Sequence, residues 1–131
     1  MILRLLFTAK GNIDLLRISN HIAIVGTRHP TEIGKKFARR IAEIFVDNGY
    51  GIVSGLAVGI DTEAHIGALD AKGKTIAVLA GGLHSIFPKE NTNLAHRIIE
   101  NGGYLYLSKQ LDPQHFEPHL YKETVFKVDC L

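Results

Sequence analysis

Two glycine-bearing loops hold the residues best suited to chemistry. The first, Gly26-Thr27-Arg28, follows a short apolar run, and the second is Ser54-Gly55-Leu56-Ala57-Val58-Gly59-Ile60-Asp61. Arginine carries a planar fork of donors that matches a phosphate, and Thr27 adds a hydroxyl. Gly55 and Gly59, four residues apart, let the chain turn tightly and present backbone N–H groups at a helix start, where an anion is favoured. Each feature also has a plainer reading. Arg28 could pair with a surface carboxylate, and strand-to-helix turns rich in glycine often exist only for packing. Asp61 is expected to cap the following helix, which would occupy some of its N–H groups. A third turn, Gly81-Gly82, again permits close backbone approach.

Catalytic groupings are sparse. Asp61 and His65 fall four apart on one helix face, yet no serine or cysteine nucleophile is tied to them, and a surface contact is the simpler explanation. His115 and His119 have metal-ligand spacing, but Pro118 intervenes and no further ligands cluster nearby. Neither a P-loop lysine motif nor G-x-G-x-x-G after the first apolar run is found, which disfavours a P-loop NTPase and an ordinary dinucleotide dehydrogenase. No catalytic residue, metal or cofactor is assigned.

The elements that position these loops repeat a unit of apolar strand, glycine-rich loop and amphipathic helix. His21–Val25 reads as a buried strand, and a helix is expected from about Thr31 to Asn48. Its apolar stripe, Ile33, Phe37, Ile41, Ile44 and Phe45, is expected to face the core, with Lys35, Lys36, Arg39 and Arg40 turned away. Tyr50–Val53 and Thr75–Leu79 are further strands. The helix entered at Asp61 ends at Ala71-Lys72-Gly73, and another covers about Asn91 to Glu100. Tyr104–Leu107 is a fourth strand, with one more expected over Leu3–Ala9. Apolar strands alternating with helices imply an α/β, Rossmann-like, mostly parallel sheet with helices on both faces. Right-handed crossovers gather the Gly26, Gly55 and Gly81 loops on one sheet edge, where such folds bind ligands.

Composition sets the frame. At 131 residues, 46% hydrophobic and 21% charged, the chain suits one globular domain. Residues 1–40 hold eight of its 15 Lys/Arg against Asp14 and Glu32 alone, a balance that suits a polyanion if the fold gathers those charges, and otherwise a solvated surface. The single Cys130 forms no intrachain disulfide, and the apolar start before Lys10 is too short for a signal or a membrane span. A cytoplasmic protein with no membrane contact is expected.

The order of motifs resembles the DNA-processing DprA/Smf family. Lys10-Gly11-Asn12 with Leu15-Leu16, then Ile22 to Gly34, resembles the entry to that family's Rossmann-like domain. Val53 to Asp61, Ala64-His65 and Gly67-Ala68-Leu69 match its most distinctive stretch. Gly73 to Leu79, Gly82-Leu83 and Phe87-Pro88-Lys89-Glu90-Asn91 continue in order. The resemblance divides the chain into a Rossmann-like domain over 1–108 and a divergent tail over 109–131. It implies a non-enzymatic, cytoplasmic protein that binds single-stranded DNA and helps load the recombinase RecA in transformation or repair. It also maps Gly26, Thr27, Arg28, Ser54, Gly55, Leu56, Gly59, Ile60, Asp61, Lys74, Gly81, Gly82 and Asn91 onto an anion-binding pocket.

Three departures qualify that mapping. Val58 stands where many members carry Lys or Arg. Ser108-Lys109-Gln110 replaces the family's Ser-Glu-Tyr/Phe, and Tyr121-Lys122-Glu123-Thr124 replaces an Arg-Asn-Arg segment. The family's later strands find no counterpart before Leu131, so a truncated domain is expected, with an unpaired sheet edge or an uncovered apolar face that either the divergent tail or a second copy covers; of the two, a homodimer is favoured. Two alternatives stand beside DNA binding: a nucleotide sensor or nucleotide-cleaving enzyme of the wider superfamily, whose catalytic glycine loop is not found here, and a remnant without a ligand.

Overall fold

The computed structural model describes residues 8–11, 20–79, 86, 88–107 and 125–128. In chain order these form β1 (Thr8–Gly11), β2 (His21–Gly26), α1 (Glu32–Asp47), β3 (Gly51–Ser54), α2 (Ile60–Asp70), β4 (Thr75–Leu79), a 3-10 turn (Lys89–Asn91), α3 (Thr92–Glu100), β5 (Tyr104–Leu107) and β6 (Val125–Val128). The sheet order is β1-β5-β4-β3-β2-β6. Strands β2 to β5 are parallel neighbours, β6 adds to β2 in parallel, and β1 lies antiparallel on β5. The mostly parallel α/β sheet expected from the sequence is present. Strand β6, in the stretch expected to be a divergent tail, belongs to this same sheet and pairs along β2, registered as Ala23 with Val125 through Gly26 with Val128.

Three successive crossovers step the same way along the sheet, so right-handed connections put α1, α2 and α3 on one face. The packing agrees. Ile22, Ile24 and Ile52 meet Ala38 and Ala42 of α1 and Ile60, Ala64 and Ala68 of α2. Ala77, Leu79 and Leu105 meet Leu69 of α2 and Leu94, Ala95 and Ile98 of α3. The alternate strand residues Val53, Ile76 and Tyr104 form a smaller buried cluster on the opposite face. Helices on that second face, the other half of the expectation, would lie outside the described residues.

Helix α1 turns a different side to the core than its large residues suggest. Thr31 caps it, its hydroxyl accepting from Gly34 N–H at 3.1 Å, and Asn48 with Gly49 at φ 86° ends it. The buried residues are Ala38 and Ala42, flanked by Ile41, Phe45 and Val46, whereas Ile33, Phe37 and Ile44 remain exposed. The cause is the close approach of α2. A Cβ on Gly67 would stand 2.5 Å from the Arg39 carbonyl oxygen and 3.0 Å from the Ala42 methyl. Backbones that near one another admit only small side chains between them.

Helix α2 is the central element, with eight of its eleven residues buried. Among them is His65, which does not pair with Asp61. Its Nδ1 lies 2.6 Å from Thr75 Oγ1, and the Thr75 hydroxyl donates to Ile52 O at 2.9 Å. The hydroxyl has one hydrogen, so Thr75 accepts from His65 and the imidazole carries its proton on Nδ1. Nε2 is then a buried lone pair with no partner among the described residues. Burial holds this imidazole down to about 3, against an ordinary value of 6.5.

That shift has a definite sign. The unfolded chain takes up the His65 proton near pH 6.5, while the folded chain stays neutral until about 3. Stability is therefore complete above the upper value and falls as the pH drops through the interval, by at most about 1.4 kcal/mol per pH unit. Between about pH 7 and about pH 5, the wild type should lose more stability in urea titrations than a His65→Gln variant does. Equal losses would show that His65 does not carry this dependence.

Candidate functional site

The loops after β2 and β3 meet at the carboxyl edge of the sheet, where a parallel α/β fold places its ligands. They are tied together by backbone. Ile60 N–H donates to Thr27 O at 3.1 Å, and Gly59, at φ 93°, packs directly onto the chain at Thr27 and Arg28. A Cβ on Gly59 would come within 2.8 Å of Arg28 Cα and closer still to Thr27 O. The glycine therefore serves loop contact as well as left-handed geometry.

Five further hydrogen bonds hold the second loop. Gly55 N–H donates to Asp61 Oδ2 at 3.0 Å, Thr62 Oγ1 donates to Ala57 O at 2.7 Å, and Ser54 Oγ donates to Ile24 O at 2.7 Å. Both amide hydrogens of Asn91 are used, on Leu56 O and Thr62 Oγ1, each at 2.8 Å. These contacts sustain a positive φ of 70° at Leu56, a conformation costly for a non-glycine residue, whose side chain is fully buried against α3.

Asp61 is not the cap expected of it. Gly59 holds the N-cap position, and Asp61 is the second residue of α2, its carboxylate turned back into the loop. Burial raises its pKa above the ordinary range, and the amides of Gly55, Gly26 and Ala57 pull it back toward the charged form. A nest of N–H groups exists, as the glycines suggested, but an internal carboxylate already occupies it. Exogenous phosphate must then be met chiefly by side chains.

Those side chains stand beside the nest. A cleft of about 470 Å³ is lined by Arg28, His29, Pro30, Lys35, Val58, Gly59, Thr62, Glu63 and Asn91. Arg28 is exposed and makes no ion pair or hydrogen bond among the described residues. Thr27 Oγ1 accepts from His29 N–H at 3.2 Å, which leaves its hydrogen to donate. Lys35 is bonded to Glu32 at 2.8 Å. Glu63, the acidic member of the lining, is ion-paired with Arg39 of α1, so its charge is offset locally. The charge of Lys35 is offset by Glu32 in the same way, which leaves Arg28 as the lining cation without a counter-charge among the described residues.

The structure brings Gly26, Thr27, Arg28, Ser54, Gly55, Leu56, Gly59, Ile60, Asp61 and Asn91 to one edge. Of these, Arg28, Gly59 and Asn91 line the cleft, and Leu56 and Ile60 are core. Lys74 is not among them. It precedes β4, at the opposite edge of the sheet, and its Nζ donates to Asn101 O at 2.7 Å. Gly81 and Gly82 lie outside the described residues, as do His115 and His119. His29, Lys35, Thr62 and Glu63 were missed by sequence reasoning. Lys35 carried a signal, standing seven residues after Arg28 on a helix that starts from the same loop.

Comparison with known proteins gives a consistent result. A family model, DNA recombination-mediator protein A, matches residues 3–123. The DNA processing protein DprA of Bacillus subtilis (strain 168) is 44% identical over 93 residues, covering 71% of this chain and 31% of that protein. The X-ray structure of DprA from Streptococcus pneumoniae aligns with a TM-score of 0.70 at 38% identity, covering 87% of this chain and 40% of that one. A DNA processing protein A from Helicobacter pylori, studied for its single-stranded DNA binding mode, aligns with a TM-score of 0.71 at 32% identity over 81% of this chain and 47% of that one. The chain spans less than half the length of each.

The loop contacts generate a stability prediction. Gly59→Ala should cost about 2–4 kcal/mol in denaturant unfolding, from the forced φ and the clash with Thr27 and Arg28. Asp61→Ala should cost about 1–3 kcal/mol, because it strands the part-buried Gly55 N–H. Variants as stable as the wild type would mean that the two loops are not held as described.

Proposed function

This chain belongs to the DNA recombination-mediator protein A family, and we propose that it binds single-stranded DNA through backbone phosphates at the Arg28 cleft, without catalysing a reaction. The observation that carries this reading is Arg28 itself, an exposed guanidinium with no partner among the described residues. The loop-to-loop contact fixes its backbone at the mouth of the cleft. The Helicobacter pylori relative's single-stranded DNA binding supports the choice of polyanion. Lys35 supplies a neighbouring positive contact, and the His29 ring and the Thr27 hydroxyl supply further hydrogen-bonding groups. Because the nest amides are bound to Asp61, contacts come from flexible cations rather than a rigid cradle. Such contacts read phosphate and not base, so sequence preference is weak and salt dependence strong.

A binding role also suits the chemistry at this edge. Asp61 is held by amides and His65 is buried against Thr75, so the carboxylate–imidazole pair that a hydrolytic reading would need is not assembled. Family membership extends the proposal to a cytoplasmic protein of DNA processing and recombination, with RecA as its recombinase partner and a second copy of the chain as another. No helix among the described residues is long and apolar enough to cross a membrane.

Titration of labelled oligo-dT at two salt concentrations tests this reading. Affinity should fall steeply with salt, and Arg28→Ala should bind about ten-fold more weakly at low salt. Its salt slope should be shallower by roughly 0.7, the share of a single phosphate neutralised by one cation. Tight mononucleotide binding without oligonucleotide binding would favour the small-nucleotide alternative. Binding of neither ligand would favour a remnant.

A further inference from the structure

The first turn of α2 carries two carboxylates, as the field at a helix start favours, and both bear on the anion site. Asp61 is turned back onto the loop amides. Glu63 instead lines the cleft with Arg28 and Lys35, and only 10% of its side chain is exposed. A fixed negative group in the wall of a cleft that is to take a phosphate works against the ligand. Its Oε2 accepts from Nε of Arg39, a residue of α1 that is not itself part of the lining.

We propose that Arg39 is a positioning residue of the DNA site, which touches no DNA but holds the Glu63 carboxylate and cancels its charge so that phosphate can enter beside Arg28. This rests on the reading of the cleft as a phosphate-backbone site. The balance of charge carries it. Of the two basic residues Arg28 and Lys35 in the lining, Lys35 is already bonded to Glu32. That leaves Arg28 facing Glu63, one charge against one, and a lining with no net positive charge. Arg39, supplied from the neighbouring helix, tips the balance to positive. An uncancelled Glu63 would also compete with phosphate for Lys35. The Lys35 ammonium is held above its ordinary pKa first by its bond to Glu32, and to a smaller extent by the charge of Glu63.

The fold places Arg39 for this role. Where α1 and α2 touch, a Cβ on Gly67 would stand 2.8 Å from Arg39 Cα, so the two backbones are fixed against each other at that level. Helix side chains lean toward the N-terminus of their own helix, and Glu63 lies one turn before Gly67. The Arg39 side chain therefore runs back along α2 and reaches the carboxylate without entering the lining. Because that carboxylate is largely shielded from water, salt screens its charge poorly, and loss of Arg39 would be felt in the cleft.

Titration of labelled oligo-dT against three variants of the full chain tests the proposal. Arg39→Met keeps the apolar stem and removes the charge, and should bind about five-fold more weakly at low salt. Glu63→Gln should bind tighter than the wild type, by about three-fold. Arg39→Met combined with Glu63→Gln lacks the ion pair altogether, yet should return to within about two-fold of the wild type. A merely structural pair would not be rescued in this way, and an Arg39 that contacts DNA directly would leave the double variant as weak as Arg39→Met. Absence of rescue therefore overturns the proposal, and so does an Arg39→Met that binds like the wild type. If Arg39→Met fails to fold, Glu63→Gln decides alone, and binding no tighter than the wild type overturns the proposal. In each of these cases the wild type still binds oligo-dT and the DNA reading stands. A wild type that binds no oligo-dT overturns both.

Discussion

The contact between the β2 and β3 loops is the constraint on which the site depends. One backbone hydrogen bond, Ile60 N–H to Thr27 O, and one glycine lying on the Arg28 backbone join the start of α2 to the exit of β2. This junction fixes where Arg28 begins and where α2 points. It also places Asp61 so that its carboxylate reaches back to the Gly55 amide. Any side chain at residue 59 would push the loops apart, with the cleft between them. The site is built at a place where two backbones touch, and its functional groups are carried outward from there.

The internal carboxylate decides how an anion can be met. Glycine loops at helix starts are natural phosphate cradles because their N–H groups converge. Here the convergence exists and is satisfied from within, by a buried Asp61 that burial pushes toward protonation and the amides hold charged. The arrangement holds the loop, helped by Asn91 and Thr62, and leaves Arg28 and His29 to face solvent, with Lys35 half-buried beside them and bonded to Glu32. An exposed guanidinium beside an internally satisfied loop suits a ligand that is long, flexible and uniformly charged better than one demanding an exact fit.

Shortage of space also governs α1. Close approach to α2 at Gly67 selects Ala38 and Ala42 for the buried side, which turns Ile33, Phe37 and Ile44 outward. A stripe of large residues at helical spacing ordinarily marks a core face. In α1 the tightness of helix packing outranks residue size, and the large residues form a surface ridge.

Much of this molecule was determined by its sequence alone. Local apolar runs and glycine stops dictate β2 to β5 and α1 to α3 to within a residue or two, because each depends on neighbours in the chain, whereas β6 was not foreseen and is a strand through its pairing with distant β2. Alternation of those elements dictates a parallel sheet with its loops on one edge, and Arg28 stands out as a cation with no local structural role. Tertiary structure decided what involves residues far apart in sequence. Lys74 looked like a site cation, yet the sheet carries it to the opposite edge, where it binds Asn101 O. Asp61 had the type and place of a cap, but the fold bent it toward Gly55. Gly59 reads in sequence as room for a ligand, and its first use is room for the backbone of Arg28. In each case a local pattern fits two partners, and only the approach of a distant segment decides between them.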